Sequence, residues 1–151
     1  MSEFLVSKIT FVTLVNDLGE ISAALEPPRI LMAEDNVINQ RVGKLILQRA
    51  GFNIDLVSDG NEALAAHRAE PYDVILMDCQ MPTMDGFEAS RQIRQLHGKQ
   101  PAIIAVTANA LLGERERCLE AGMDDYLSKP FQAEQLVAVV KKWAGAARQR
   151  D

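Results

Sequence analysis

The sequence predicts an α/β protein: a doubly wound, five-stranded parallel sheet flanked by five helices. Three observations carry this expectation. From Arg29 onward, short apolar runs alternate with longer amphipathic stretches, the pattern of βαβ units joined by right-handed crossovers. The run Val74-Ile75-Leu76-Met77 is apolar without alternation, as a strand covered on both faces should be. Glycine, proline and asparagine mark the junctions, at Asn36, Gly51, Gly60, Pro71, Pro101 and Gly122.

Arg29-Ile30-Leu31-Met32-Ala33 reads as the first strand. Asn36 suits an N-cap, and Ile38, Val42, Leu45 and Ile46 give a core stripe at helical spacing for a helix to about Arg49. Gly51 closes that helix as a C-terminal glycine. Asn53 to Val57 is the second strand, and Asp59-Gly60 turns into a helix through Ala63, Leu64 and His67 that Pro71 stops. Val74 to Met77 is the third strand. The loop Gln80-Met81-Pro82-Thr83-Met84-Asp85-Gly86 leads into a helix from about Phe87 to Leu96. Ala102 to Val106 is the fourth strand, Leu111 to Ala121 a helix, Asp125-Tyr126-Leu127 a short fifth strand and Phe131 to Trp143 the last helix. One domain over residues 29–143 follows, with a tail at 144–151. Residues 1–28 stand outside the alternation. Their apolar positions (Phe11, Leu14, Val15, Leu18, Ile21, Leu25) have mixed spacing and end in a stiff Glu26-Pro27-Pro28 connector, so they read as a linker or pre-domain segment.

The chain's 151 residues suit a single core. With 48% hydrophobic and 25% charged residues, disordered and fibrous classes drop out. A net charge of -5 and a pI near 5.1 argue against nucleic acid or an anionic membrane as the main partner. Cys79 and Cys118 are too few for a disulfide framework and match no zinc spacing, so buried reduced thiols are expected. No run reaches the ~18 apolar residues of a membrane span, and the N-terminus lacks a signal peptide's basic start and apolar stretch. The expected location is cytoplasmic, including the cytoplasmic portion of a membrane-anchored sensor.

Ligands of an open doubly wound sheet bind outside the carboxyl ends of its strands. Glu34 and Asp35 follow the first strand, Asp78 the third, Thr107 the fourth and Lys129-Pro130 the fifth. Three carboxylates, a hydroxyl and an ammonium therefore gather on one edge. Each pair of crowded carboxylates at ~4 Å costs roughly 4 kcal/mol at an effective dielectric near 20, so a cation is needed. The oxygen donors suit a hard divalent ion, and magnesium fits one or two carboxylates plus phosphate oxygens and waters. Asp78 can then act as a nucleophile on phosphorus, with Lys129 and the Thr107 hydroxyl each meeting a phosphoryl oxygen.

Glu34-Asp35-Asn36, Val74-Ile75-Leu76-Met77-Asp78, Met81-Pro82-x-Met84-Asp85-Gly86, Val106-Thr107-Ala108 and Leu127-Ser128-Lys129-Pro130 together resemble the receiver domain of response regulators. The match spans about Arg29 to Trp143. Met77-Asp78-Cys79-Gln80-Met81-Pro82 and Ala121-Gly122-Met123-Asp124-Asp125-Tyr126 look most like receivers of hybrid sensor histidine kinases. The resemblance implies the flavodoxin-like strand order 2-1-3-4-5 and a phosphoacceptor role for Asp78 in a two-component phosphorelay. It implies Mg2+ held by Asp35, Asp78 and the Gln80 backbone carbonyl, with Glu34 assisting through water. It also implies Thr107 and Tyr126 as a switch pair, Lys129 on the phosphoryl group, and a cis Lys129–Pro130 bond. The expected partner is a histidine-phosphotransfer or histidine kinase domain. The receiver would catalyse only its own phosphorylation and dephosphorylation, within a histidine kinase parent.

Other classes on this fold fit less well. A flavin carrier needs a hydroxyl-rich phosphate loop where Glu34 and Asp35 stand, a P-loop nucleotidase needs a glycine-lysine loop, and a haloacid-dehalogenase-type phosphatase usually has a second Asp where Gln80 stands. A stand-alone single-domain regulator, or a receiver that works mainly as a docking module, is the alternative. His67 and His97 read as solvated surface residues, and Met81, Met84 and Met123 as gap-fillers. Mid-helix Gly43 costs about 1 kcal/mol relative to alanine. With Gln40, Lys44 and an exposed Leu47 it suggests a flat face for docking a phosphotransfer domain.

Overall fold

The computed structural model describes residues 26–109, 111 and 113–150. Five strands and five helices alternate: β1 (Ile30–Ala33), α1 (Val37–Arg49), β2 (Ile54–Val57), α2 (Gly60–Ala69), β3 (Val74–Asp78), α3 (Gly86–Arg94), β4 (Ala102–Thr107), α4 (Glu114–Glu120), β5 (Asp125–Ser128) and α5 (Ala133–Arg150). The strands form one sheet in the order β2-β1-β3-β4-β5, and all pairs are parallel. The expected fold class and strand order are both present.

Each central strand feeds two cores. Leu31, Ile75, Met77 and Ile103 point to the layer that holds Leu64, Phe87, Ile93 and Cys118 from α2, α3 and α4. Their neighbours Ile30, Val74, Leu76 and Ile104 point to the other layer, against Leu47 of α1 and Leu136 and Val140 of α5. Double coverage is why these strands are apolar at every position, each fully buried side chain contributing roughly 1.5–3 kcal/mol.

Local capping matches the sequence. The Asn36 side chain accepts from the Asn39 N–H at 3.0 Å, and Asp59 and Asp85 do the same for Glu62 and Glu88 at 2.9 Å. Two boundaries differ from expectation by three residues or more. α4 starts at Glu114 rather than Leu111, behind Gly113 at φ +95°, where the left-handed backbone breaks a continuous helix. α5 runs on to Arg150 instead of stopping at Trp143; Ala144 is still buried in the core, so packing continues into the expected tail. The apolar positions noted between Phe11 and Leu25 lie outside the described residues.

The orientation of α1 overturns the stripe read from periodicity at Ile38, Val42 and Leu45, and only Ile46 packs partly buried against the core. Gly43 and Leu47 are buried, whereas Val37 (56%), Ile38 (70%), Val42 (44%) and Leu45 (49%) are exposed. A Cβ on Gly43 would overlap the Met32 side chain, so glycine lets α1 settle directly on the sheet. The proposed docking face of Gln40, Gly43, Lys44 and Leu47 is therefore not an open surface. Gln40 is half-buried, its side-chain amide donating to the carbonyls of Glu34 (2.6 Å) and Val57 (3.2 Å).

His67 is also buried rather than solvated. The Tyr72 N–H donates to Nδ1 at 3.1 Å, which leaves Nε2–H to donate to the Lys99 carbonyl at 3.1 Å. Accepting the Tyr72 N–H requires the neutral ring, and burial, the largest influence, pushes its pKa down, against the Lys99 hydrogen bond. An unfolded histidine titrates near 6.5 and binds a proton that the native ring resists, so His67 favours folding above about pH 6.5 and progressively less below it. Urea midpoints at pH 7 and pH 5 should show the wild-type advantage over His67→Gln shrinking with acid, with a slope of at most about 1.4 kcal/mol per pH unit. An advantage independent of pH would contradict the neutral, buried assignment. His97 is exposed, as expected.

Candidate functional site

Strand order reverses between β1 and β3, and the crevice there is where a doubly wound sheet binds ligands. The register delivers the acids to it. Ala33 pairs with Met77, so Glu34 and Asp35 leave β1 level with Asp78 at the end of β3. Asp78 pairs with Val106 and Thr107 with Ser128, which brings Thr107 and Lys129 to the same edge. Carboxylate oxygens of Glu34, Asp35 and Asp78 lie within 4.8 Å of one another.

Lys129 sits between two of them. Its Nζ is 2.7 Å from Glu34 Oε1 and 3.1 Å from Asp78 Oδ2. Glu34 and Asp78 are nearly inaccessible, at 2% and 4% exposure, while Asp35 is exposed. Glu34 Oε2 also accepts the Asn36 N–H at 3.0 Å, and Asp78 Oδ1 the Gln80 N–H at 3.1 Å. Burial raises the Asp78 pKa to about 6; the Gln80 and Lys129 hydrogen bonds oppose the rise and the Glu34 charge adds to it. Burial acts on Glu34 in the same sense, but hydrogen bonds from Lys129 and Asn36 outweigh it and hold that carboxyl below its ordinary value. For Lys129, the two carboxylates outweigh desolvation and raise its pKa. One ammonium faces three acids, and the cluster is short of positive charge.

The loop from Cys79 to Asp85 is pinned. The Gly86 N–H donates to the Cys79 carbonyl at 3.1 Å and the Gly60 N–H to the Met84 carbonyl at 3.0 Å. A Cβ on Gly86 would overlap the Asp78 carbonyl oxygen, and one on Gly60 the Met84 carbonyl oxygen. Both glycines let backbone approach backbone where the site needs it. The Lys129–Pro130 bond is cis, as expected. A cleft lined by Asp35, Gln80, Met81, Pro82 and Arg117 opens beside the acids.

Thr107 is 2% exposed and Tyr126 39%. The Thr107 Oγ1 accepts the Asn109 N–H at 3.0 Å and lies 3.2 Å from Glu114 Oε1. Sequence reasoning missed Glu114, which is 9% exposed. A glutamate in the first turn of a helix has an ordinary explanation in the helix dipole, and nothing in the sequence shows that it folds back onto Thr107. Cys79 and Cys118 are buried free thiols, and burial pushes both pKa values up.

Residues 30–141 match the model of the response regulator receiver domain. The chain is 42% identical over 124 residues to sensor histidine kinase GacS of Pseudomonas protegens, covering 80% of this chain and 14% of that protein. It is 38% identical over 144 residues to hybrid signal transduction histidine kinase I of Dictyostelium discoideum, covering 85% of this chain and 8% of that one. The chain thus spans a small part of the curated relatives it matches. Among solved structures, the receiver domain of sensor histidine kinase PA1611 from Pseudomonas aeruginosa PAO1, with a magnesium ion coordinated in its active site cleft, is 46% identical. It has a TM-score of 0.73 and covers 80% of this chain and 99% of that one. The receiver domain of the Saccharomyces cerevisiae response regulator Ssk1, solved with the histidine phosphotransfer protein Ypd1, is 29% identical with a TM-score of 0.73, covering 79% and 90%. No helix among the described residues is long and apolar enough to cross a membrane. The acid edge, the matched fold and these relatives agree, and the chain belongs to the response regulator receiver domain family.

Proposed function

We propose that Asp78 accepts a phosphoryl group from phosphohistidine in a phosphorelay, with Mg2+ held by Glu34, Asp35, Asp78 and the Gln80 backbone carbonyl. The observation that carries this reading is the gathering of three carboxylates within 4.8 Å around the single ammonium of Lys129. The donor set is all oxygen, which fits a small hard cation, and the magnesium of the PA1611 receiver supports the choice. When bound, the ion supplies the positive charge that lets the acids ionise together and that offsets charge on the phosphoryl oxygens.

The chain's own groups perform the rest. An Asp78 carboxylate oxygen forms the new O–P bond while the P–N bond of phosphohistidine breaks, and the electron pair leaves on the imidazole nitrogen. Lys129 turns from Glu34 and Asp78 toward a phosphoryl oxygen, and the Thr107 hydroxyl donates to another. Tyr126, on the exposed side of β5, reports the change of Thr107 to partners. Incubation with acetyl phosphate and Mg2+ should add one phosphate to the wild-type mass, and none with chelator or in Asp78→Asn. An equal gain in Asp78→Asn would overturn the reading.

The partner we infer is a histidine-phosphotransfer domain, seated on the exposed apolar stripe of Val37, Ile38, Val42 and Leu45. α1 begins two residues after Asp35, so this stripe flanks the site, and the Ypd1–Ssk1 complex supports a partner of this kind. Ile38→Asp should slow transfer from a phosphohistidine domain by about tenfold or more and leave phosphorylation by acetyl phosphate unchanged. Equal slowing with both donors would place Ile38 in the fold instead. The unit at 29–143 acts within a hybrid sensor histidine kinase in this reading, which the GacS and Dictyostelium relatives support.

A further inference from the structure

The Thr107 hydroxyl has one proton to give, and two acceptors lie within its reach. Oγ1 lies 3.2 Å from Glu114 Oε1 and 3.3 Å from the Asn109 carbonyl, while it accepts the Asn109 N–H at 3.0 Å. Glu114 is more than nine-tenths buried. Among the described residues, its other oxygen has only a 3.8 Å approach from Arg117, a side chain that is 62% exposed. Burying a carboxylate with so loose a cationic partner is unfavourable, yet this one is placed against the hydroxyl that the proposed chemistry needs. A hydrogen bond to an ionised acceptor is stronger than one to a neutral carbonyl, so Glu114 is the better of the two acceptors open to Thr107.

We propose that Glu114 is a positioning residue that holds the Thr107 hydroxyl in its unphosphorylated arrangement, so that phosphoryl capture at Asp78 must break the Glu114–Thr107 hydrogen bond. The inference rests on the phosphoacceptor reading. The two hydrogen bonds of Thr107 exclude each other, because a proton given to Glu114 cannot also be given to a phosphoryl oxygen. The form that binds a phosphoryl group is therefore a minor one, and apparent affinity falls by the fraction of molecules in it. Glu114 sets that fraction from the first turn of α4, and this couples the position of α4 to the state of the site.

The test is a titration of the full chain with the phosphoryl mimic beryllofluoride in the presence of Mg2+, followed by fluorine NMR. Glu114→Ala should bind about tenfold more tightly than wild type, and Glu114→Gln, which keeps an uncharged acceptor, about threefold. A purely structural role for Glu114 would act whether or not the hydroxyl is present. In a Thr107→Ala background the Glu114→Ala change should therefore alter affinity by less than about twofold. Equal or weaker binding by both Glu114 variants, or the same gain without the hydroxyl, overturns the inference. Should Glu114→Ala fail to fold, Glu114→Gln with and without Thr107→Ala decides the matter alone. Wild type that binds no beryllofluoride would instead overturn the phosphoacceptor reading, and the inference with it.

Discussion

Lys129→Met is expected to reduce phosphorylation of Asp78 by acetyl phosphate by about a hundredfold or more while the chain stays folded. Removal of one preorganised donor from a site of developing charge typically costs about 10²–10³ in rate. Here the same ammonium also holds two buried carboxylates, at 2.7 and 3.1 Å. Without it, Glu34 and Asp78 face each other with no ammonium between them until Mg2+ binds. The pair then keeps a proton, which moves the Asp78 pKa further in the direction burial already drives it. A protonated Asp78 is neither nucleophile nor metal ligand. Lys129→Arg should not restore the rate, because the planar guanidinium is larger and cannot occupy a point between two closely set oxygens. The measurement is the initial rate of phosphate incorporation at saturating Mg2+. A variant within threefold of wild type would show that Lys129 is only a counter-ion of the resting site.

Gly86→Ala is expected to cost about 3 kcal/mol or more of stability and to abolish phosphorylation. Its Cβ would overlap the carbonyl oxygen and carbon of Asp78 and the Met77 side chain. Backbone cannot yield as the end of a flexible side chain can, so the first turn of α3 or the end of β3 must move. Either motion displaces the acceptor carboxylate. Gly98→Ala is the control. Gly98 has φ +98° and open space around it, so alanine there meets only the left-handed backbone penalty of about 1–2 kcal/mol. Urea unfolding should rank the two variants in that order, and Gly98→Ala should keep its phosphorylation rate.

Most of the sheet was legible because it is doubly covered. An apolar run such as Ile103-Ile104-Ala105-Val106 has no other use in a chain of this composition. The site was legible for a related reason. Acids and a lysine at or just past strand ends are poor filling for an apolar core, and a parallel sheet brings all such ends to one edge. Side-chain facing was harder to read. α1 carries two stripes at helical spacing, and periodicity cannot say which one meets the sheet. Close contact with Met32 selects the stripe of Gly43 and Leu47, with Ile46 at its edge, and Val37, Ile38, Val42 and Leu45 are left outside. His67 and Glu114 were misread or missed because each is polar in sequence and buried by a contact that periodicity does not show: Lys99, 32 residues on, for one, and Thr107, across the β4–α4 turn, for the other. Such partners come from tertiary structure, and the local sequence carries no trace of them.

The central claim is that Asp78 itself forms the acyl phosphate. Phosphorylated chain treated with borohydride converts the acylated aspartate to homoserine, and peptide mass spectrometry then reads its position. Homoserine is expected at residue 78, formed only when Mg2+ was present during phosphorylation. Phosphate on the chain with residue 78 still aspartate, or homoserine at Asp35 or another acid, would contradict it.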